Sequence, residues 1–265
     1  MPNAQQWLDK NYPKEERNEI TELDISQKKL KGSLKLEGFV NLVKFTCGEN
    51  QITQLEINQE NPHLVYFDCY DNSLTNLDFL KQLSVPQKLK FLYLSNNNFP
   101  EQDLSFLTDF VNLEELYLGN YYRKKKFRQG IYNRFSGSLE ILEKMKNLKY
   151  LDISNTDIDS GWECLSDGLE NIGCLTEEQL DSKVKVIQDA LENYKISEDK
   201  LGWWKIDIKK AKTDFWKKQS NELQTQVTSL QNQLVNKEQE LVKSQQQNVE
   251  LEAKILENTR FFQDF

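Results

Sequence analysis

The chain has 265 residues, of which 38% are hydrophobic and 29% charged, and its formal net charge is −8. This polar composition disfavours one large globular core, and the negative charge disfavours general binding to nucleic acid. The sequence has no apolar run near the roughly 20 residues of a membrane-spanning helix. Residues 1–7 also lack the apolar stretch of a secretory signal, so we expect a cytoplasmic protein without a transmembrane segment.

Residues 1–19 are predicted to form a helical cap. Residues 4–12 can form a short helix that carries Trp7 and Leu8 on one side, and Pro13 ends it. Residues 14–18 can begin another helical turn. The end of a stack of repeats exposes apolar side chains, so a polar lid of this kind is expected there.

An eleven-residue pattern recurs through residues 20–175. Its clearest copy is Leu89–Phe99, with apolar residues at positions one, four, six and eleven and an asparagine at position nine. Other copies, the last of them degenerate, begin at Ile20, Leu42, Leu64, Leu113, Leu148 and Leu169. Starts at 20, 42, 64, 89 and 113 lie 22, 22, 25 and 24 residues apart, within the roughly 20–29 residues of a leucine-rich repeat. The spacing predicts an α/β solenoid with a curved parallel β-sheet.

Position nine of each copy is predicted to hold the turn that follows the strand. An asparagine there can hydrogen-bond backbone groups that have left the strand ladder, and Asn50, Asn72 and Asn97 occupy this position. Lys28 and Thr156 replace the asparagine in the first and sixth copies. Hydrogen bonding in this row is therefore expected to fail toward its ends.

Cysteines occupy position six of three copies: Cys47, Cys69 and Cys174. A reduced thiol serves there as a small apolar core residue, which indicates a reducing compartment. A disulfide between Cys47 and Cys69 on neighbouring strands stays open as an alternative. A zinc site is not expected, because the sequence has no C-x-x-C pair and a single histidine, His63. We predict no metal and no cofactor.

Residues between the inward positions are predicted to line the concave face of the sheet. Aromatic and acidic side chains concentrate there in the middle and later copies: Tyr66, Asp68, Tyr70, Phe91, Tyr93, Tyr117, Tyr150 and Asp152. Tyrosine on a rigid sheet gives a large contact area at a small entropic cost, which is typical of protein interfaces. These eight residues are the predicted binding surface for an unidentified protein or peptide. The alternative is that some of the rings only shield neighbouring strands.

The starts at Leu113 and Leu148 are 35 residues apart, which predicts an insertion over residues 121–146. Its basic cluster can bind an acidic partner, phosphate or an anionic lipid, and consists of Arg123, Lys124, Lys125, Lys126 and Arg128. The other interpretation is a solvated loop, or one that folds back on acidic surface of the same chain, because charge runs are usually only solvated.

Residues 176–215 are predicted to form a helical cap at the far end of the repeats. Apolar residues at helical spacing indicate a first amphipathic helix: Leu180, Val184, Ile187, Leu191 and Tyr194. The stretch from Leu201 to Trp216 is predicted as a second, aromatic-rich helical segment that packs on the first.

Residues 216–265 contain no glycine or proline and follow a heptad pattern that is typical of a coiled coil. The residues assigned to its apolar seam, with one asparagine among them, are Leu223, Val227, Leu230, Leu234, Leu241, Asn248, Leu251 and Ile255. Lys237 and Ser244 interrupt the seam. We predict that this helix pairs two copies into a homodimer, and the alternative is a single solvated helix.

The copies from Ile20 to Ile158 resemble the leucine-rich repeat superfamily. Residues 3–13 and 151–158 are similar to the expanded intracellular leucine-rich repeat proteins of arbuscular mycorrhizal fungi. The resemblance implies a parallel-sheet horseshoe used for protein recognition, and it implies no catalytic residue.

Function is predicted from the same features. The sequence lacks the patterns G-x-x-x-x-G-K-[ST], G-x-G-x-x-G and G-x-S-x-G, so we expect a scaffold that is not an enzyme. It is predicted to bind a protein or peptide on the concave face and to self-associate through its C-terminal helix. The alternative is an adaptor that binds anionic membrane or nucleic acid through residues 123–128.

Overall fold

The structure is a computed structural model that describes residues 1–57, 61–121, 124–176 and 181–263, without the side chains of residues 124, 125 and 257–263. It divides into two compact units, Met1–Lys212 and Thr213–Phe265. The repeats belong to the first unit.

Short strands dominate the first unit. The thirteen strands of the described residues are β1 (Glu22–Asp24), β2 (Lys31–Leu36), β3 (Lys44–Thr46), β4 (Gln51–Ile57), β5 (Tyr66–Asp68), β6 (Phe91–Tyr93), β7 (Glu115–Tyr117), β8 (Ser136–Ser138), β9 (Tyr150–Asp152), β10 (Asp157–Ser160), β11 (Asn171–Gly173), β12 (Lys195–Glu198) and β13 (Trp203–Ile206). In these residues nine strands form the main sheet, in the order β1-β3-β5-β6-β7-β9-β11-β13-β12. Each copy of the repeat contributes one strand, and the strands from β1 to β11 run parallel.

The register of this sheet stacks equivalent residues of successive copies. Position four pairs with position four across every parallel neighbour, as Leu92 does with Phe67 on one side and Leu116 on the other. The inward side chains at positions four and six are almost fully buried: Leu23, Ile25, Phe45, Cys47, Phe67, Cys69, Leu92, Leu94, Leu116, Leu118, Leu151, Ile153, Ile172 and Cys174. Burying one such side chain contributes about 1.5–3 kcal/mol. The predicted leucine-rich repeat solenoid is therefore confirmed, and the cysteines serve as reduced core residues.

The side of the repeats away from the main sheet is built from short elements. Strand β2 pairs with β4 and β8 pairs with β10, each in parallel. Between the strands lie helix α2 (Asp78–Lys81) and short 3₁₀ helices at Pro86–Lys88, Ser105–Leu107, Leu139–Lys144 and Trp162–Cys164.

The asparagines of position nine bond as predicted. Asn72 donates from Nδ2 to Cys47 O at 2.9 Å and to Cys69 O at 3.2 Å, and its Oδ1 accepts from Ile52 N at 2.9 Å. The expected failure at the ends of the row is only partial. In the first copy Leu30 N donates to Asn50 Oδ1, and in the sixth the Thr156 hydroxyl donates to Ile153 O at 2.7 Å.

The insertion is shorter than the sequence predicts. Asn133 fills position nine of the fifth copy, donating from Nδ2 to Leu94 O at 2.9 Å and to Leu118 O at 3.1 Å. The predicted insertion 121–146 therefore reduces to residues 121–132, and residues 136–144 form the strand and 3₁₀ turn of an ordinary repeat. Removing those 12 residues from the spacing of 35 leaves 23, which matches the other copies.

A helix covers the first repeat, as predicted. Helix α1 (Ala4–Asn11) lies beside β2, and Asn3 caps it by accepting a hydrogen bond from Gln6 N. Arg17, in the 3₁₀ turn Lys14–Glu19, is fully buried and donates to Tyr12 O, Glu37 O and Asp9 Oδ1. Its guanidinium also lies 5.2 Å from the centre of the Phe39 ring.

The opposite cap differs from the predicted pair of helices. Helix α4 (Lys185–Leu191) lies against β10, but the second stretch is not helical throughout. Trp203–Ile206 forms β13, which pairs antiparallel with β11 and with β12. Gly202, with φ of 79°, makes the turn that joins the two strands of this hairpin. The hairpin adds two strands beyond β11, so that β11 is not the edge strand of the main sheet.

The described residues of the second unit, 213–263, all belong to one helix whose first residues lie in the first unit. Helix α5 begins at Ile208, ends at Gln263 and includes all residues of the predicted heptad seam. The apolar side chains of the seam are exposed: Leu223 59%, Val227 45%, Leu230 64%, Leu234 59%, Leu241 59%, Leu251 61% and Ile255 58%. Asn248 is exposed as well.

Candidate binding surface

A row of aromatic rings crosses the concave side of the sheet. The ring centres of Tyr66 and Tyr93 lie 5.2 Å apart, those of Tyr93 and Tyr117 lie 4.5 Å apart, and Trp203 continues the row 5.0 Å from Tyr117. Parallel neighbouring strands about 4.8 Å apart bring Tyr66, Tyr93 and Tyr117 to this distance, whereas Trp203 lies on β13, with β9 and β11 between it and β7 in the sheet. Phe91 extends the row beside Tyr66 at 5.5 Å.

Burial raises the pKa values of the phenols in this row above their ordinary value. It raises the pKa of Tyr66 to about 12, and it raises the pKa values of Tyr93 and Tyr117 further, with Glu115 adding to both shifts. Tyr93 donates its hydroxyl hydrogen to Glu115 Oε2 at 2.6 Å. The rings are partly exposed, so the surface offers flat apolar faces with neutral hydroxyl groups at their edges.

A pocket opens between the rings. It has a volume of about 260 Å³ and is lined by Tyr66, Asp68, Tyr70, Tyr93, Ser95, Tyr117 and Tyr121. Asp68 is the one carboxylate in this lining, and its Oδ1 accepts a hydrogen bond from Tyr70 N at 2.8 Å. Burial raises the pKa of Asp68 to about 6, and the charges of Asp24 and Glu49 also act in that direction.

Asp152 does not belong to the exposed surface, which corrects its prediction as a partner-binding residue. It is 1% exposed, and its carboxylate accepts from Ser154 N at 3.1 Å and from the Ser95 hydroxyl at 3.3 Å. Its neighbours explain the burial. A Cβ atom at Gly119 would lie 2.5 Å from Asp152 Oδ2, and one at Gly173 would lie 2.6 Å from Oδ1. The two glycines therefore leave the space into which this carboxylate folds.

The insertion folds back on the repeats. Lys126, in helix α3 (Lys124–Arg128), forms an ion pair of 2.6 Å with Asp71 and donates to Asn72 O at 2.9 Å. Lys126 is therefore engaged within the chain, whereas Arg128 is exposed. Arg123 and the side chains of Lys124 and Lys125 lie outside the described residues.

The remaining predicted residues fall on the concave side. Tyr150 and Phe91 are partly exposed at the first positions of β9 and β6. Tyr70 lies just after β5 and stacks on Tyr121 with ring centres 6.2 Å apart and planes 19° apart.

Two rings of this surface, Tyr121 and Trp203, are not among the residues predicted for it. Tyr121 is the first residue of the insertion, and it directly follows the strand and turn of the fifth copy. Trp203 was assigned to a helix, although buried Trp204 and Ile206 alternate with exposed Lys205. That alternation after a glycine turn is the signal of a hairpin strand.

Two further properties bear on the site. Among the described residues, no group of three or more His, Cys, Asp or Glu side chains could hold a metal ion. None of the helices in the described ranges is long and apolar enough to cross a membrane. A second depression, of about 430 Å³, lies at Asp103, Ser138 and Glu143, and it has no aromatic ring in its lining.

No protein-family model matches the chain, and no curated protein matches it either. Among solved structures, an internalin (inlF) from Listeria monocytogenes str. 4b F2365 is similar, with 22% identity and a TM-score of 0.44 over 59% of this chain and 42% of that one. A TDR receptor is similar over 65% of this chain and 38% of its own, at 16% identity and a TM-score of 0.38. An internalin C2 (inlC2) from the same Listeria strain covers 55% of this chain and 76% of its own, at 19% identity and a TM-score of 0.34.

The chain spans less than half the length of the first two of these structures. These likenesses carry no information on ligand or activity, and the fold assignment rests on the strand register and the asparagine row. The resemblance to the fungal repeat proteins is tested by none of them and stays a prediction.

Proposed function

We propose that the protein is a non-catalytic interaction scaffold that binds a protein or an extended peptide on the concave surface. The observation that carries this proposal is the row of rings from Tyr66 through Tyr93 and Tyr117 to Trp203. Partly exposed aromatic rings on a rigid sheet give a large contact area at a small cost in side-chain freedom. Such rings are also the residues that most often dominate binding energy at protein interfaces.

The small volume of the pocket and the length of the ring row favour an extended peptide over a small-molecule ligand. The pocket of about 260 Å³ is smaller than the roughly 300–1,000 Å³ of typical small-molecule sites. The rings of the row come from β5, β6, β7 and β13, and this length suits several residues of an extended peptide. Tyrosine hydroxyls and the Glu115 carboxylate provide hydrogen-bonding groups along it.

Selection from a displayed library of random peptides tests this function. The immobilised full chain should enrich related peptides that bind it in solution with measurable affinity. Enrichment should be lost against a variant in which Tyr93 and Tyr117 are both alanine. It should persist against Tyr12→Ala, a tyrosine of the N-terminal cap. A wild-type chain that enriches no binding peptide, or peptides that bind the double variant equally well, would contradict the proposal.

We also propose that the second unit pairs two copies of the chain. The support is the exposed apolar seam of α5, which includes Leu223, Leu230 and Leu234. Pairing would bury these side chains and would present two concave surfaces at once, which raises avidity without new contacts.

The alternative adaptor function is weaker. It requires the basic cluster 123–128 to be available to an anionic membrane or nucleic acid, and Lys126 is already paired with Asp71. A reducing, cytoplasmic location is proposed from the free thiols of Cys47, Cys69 and Cys174 in the core.

A further inference from the structure

The pocket between the tyrosines has walls suited to a flat cation. Its lining includes Tyr70 and Tyr121, whose rings lie nearly parallel at 19°, and Tyr66 and Tyr93, whose rings meet edge to face at 5.2 Å. Ring faces attract cations through their quadrupole, most strongly when water is displaced. The chain already uses this interaction on the same ring row, since Lys44 Nζ lies 4.8 Å from the centre of the Tyr66 ring.

The charges around the pocket favour a positive ligand. Asp68 lies in its lining, and the other acidic groups that act on Asp68 are Asp24 and Glu49. Lys44 is the cation that acts on it in the opposite direction. In the described residues, the Asp68 carboxylate accepts one hydrogen bond, through Oδ1 from Tyr70 N, which leaves its Oδ2 atom for a ligand.

We propose that this pocket binds the guanidinium of an arginine side chain of the partner peptide, an inference that rests on the proposed function. Stacking on tyrosine faces and hydrogen bonding to a carboxylate are both available to a planar guanidinium. An ammonium group is more strongly hydrated and has no flat face, so lysine satisfies only part of this arrangement. A trimethylated lysine has no hydrogen to donate to Asp68. The volume of about 260 Å³ suits one side chain rather than a larger group.

The test uses peptides enriched by the full chain and measures their affinity by titration calorimetry. The enriched peptides should share one arginine. Replacing it by citrulline, which keeps the shape and removes the charge, should weaken binding about tenfold or more, as expected for a desolvated cation with a charged hydrogen bond. Asp68→Asn should weaken the arginine peptide to a similar extent and should leave the citrulline peptide nearly unchanged. Glu22→Gln, an exposed acid at the edge of the same sheet, is the matched control and should change neither affinity more than twofold.

A direct measurement keeps the proposal independent of the library. N-acetylarginine methylamide, added at millimolar concentration, should shift the NMR signals of Tyr66, Tyr93 and Tyr121, and the citrulline analogue should not. Peptides that lack arginine yet require Tyr93 and Tyr117 would overturn this inference and leave the proposed function standing. Equal binding of lysine or trimethyl-lysine peptides would also overturn it. If the arginine amide causes no NMR shifts, the pocket does not bind arginine and this inference fails. If no enriched peptide depends on the tyrosines, the proposed function fails together with it.

Discussion

At the scale of single residues, the asparagines of position nine connect sequence to fold most directly. Each one satisfies backbone groups of two neighbouring copies, as Asn72 does for Cys47 O, Cys69 O and Ile52 N. A buried backbone group left without a partner costs about 1–3 kcal/mol. The pattern that revealed the repeat is therefore also a set of buried hydrogen bonds.

Asn72→Ala should lower the free energy of unfolding by about 2–4 kcal/mol, because several buried groups lose their partner at once. The measurement is urea unfolding followed by circular dichroism. Asn112→Ala is the control, since Asn112 is exposed and makes one bond, to Gln87 O at 2.9 Å. Its loss should cost about 1 kcal/mol or less. Equal effects of the two substitutions would show that the row is not a major source of stability.

Asp68 illustrates a residue whose burial has an energetic cost. Its pKa rises from 3.8 to about 6 on folding, so the unfolded chain releases this proton at a lower pH than the folded chain does. Its contribution to stability is therefore fully present below pH 4 and is lost as the pH rises through 6. A carboxyl group whose pKa is raised by burial is typical of binding sites.

Asp68→Asn removes this titration and should flatten the dependence of stability on pH. Relative to wild type, the variant should gain about 1–2 kcal/mol between pH 4 and pH 7, allowing for the partial exposure of the side chain. Urea unfolding at both pH values measures the difference. If the difference in free energy of unfolding between variant and wild type is the same at both pH values, the titration of Asp68 does not affect stability. Glu22→Gln provides the comparison at an exposed acid.

At the scale of elements, the caps show what pattern alone can and cannot predict. The N-terminal helix was predictable because Trp7 and Leu8 give it an apolar side and Pro13 follows its end. The C-terminal hairpin was not, because Trp203 and Trp204 fit either a helix or a strand in so short a stretch. Residues 203–206 form a strand and not a helix because they pair with β11, whose edge would otherwise be open. That edge is a tertiary feature that local sequence does not contain.

The N-terminal cap depends on the buried Arg17. Arg17→Met should lower the free energy of unfolding by about 3 kcal/mol, because Tyr12 O and Glu37 O lose their donor and Asp9 loses its charged partner. Lys14→Met is the control, since Lys14 and Glu37 form an exposed ion pair that contributes little. A loss of less than about 1 kcal/mol for Arg17→Met would show that this network does not hold the cap.

Helix α5 yields a prediction about association. Analytical ultracentrifugation of the full chain at tens of micromolar should give the mass of a dimer. Leu230→Lys with Leu234→Lys places charges in the seam and should give a monomer. Ser229→Lys with Asn232→Lys adds the same charge off the seam and should leave the dimer intact. A monomeric wild type would refute the pairing.

The insertion also has contacts that a sequence pattern does not predict. Its five basic residues from Arg123 to Arg128 were visible in the sequence, but the partner of Lys126 was not. Asp71, which pairs with Lys126, lies 55 residues earlier in the chain. The position of Asn133 was likewise hidden, because twelve inserted residues separate it from the strand that it serves.

At the scale of the whole molecule, the repeat unit explains both its stability and its candidate site. Each copy contacts mainly its neighbours, so the fold was predictable from spacing and apolar positions. The direction in which concave residues point was predictable too, since alternate residues of a strand face opposite sides. How deeply each concave residue is buried was not predictable, because the burial of Asp152 depends on Gly119 and Gly173 in two other copies.

The central claim is that the tyrosine row binds the partner. The most direct test is the affinity of an enriched peptide for the full chain and for the Tyr93→Ala and Tyr117→Ala double variant, measured by titration calorimetry. We expect a loss of about 30-fold or more, as for two central interface residues. Circular dichroism should be unchanged, because both side chains are partly exposed and outside the core. An affinity within about twofold of wild type, in a folded double variant, would contradict the account.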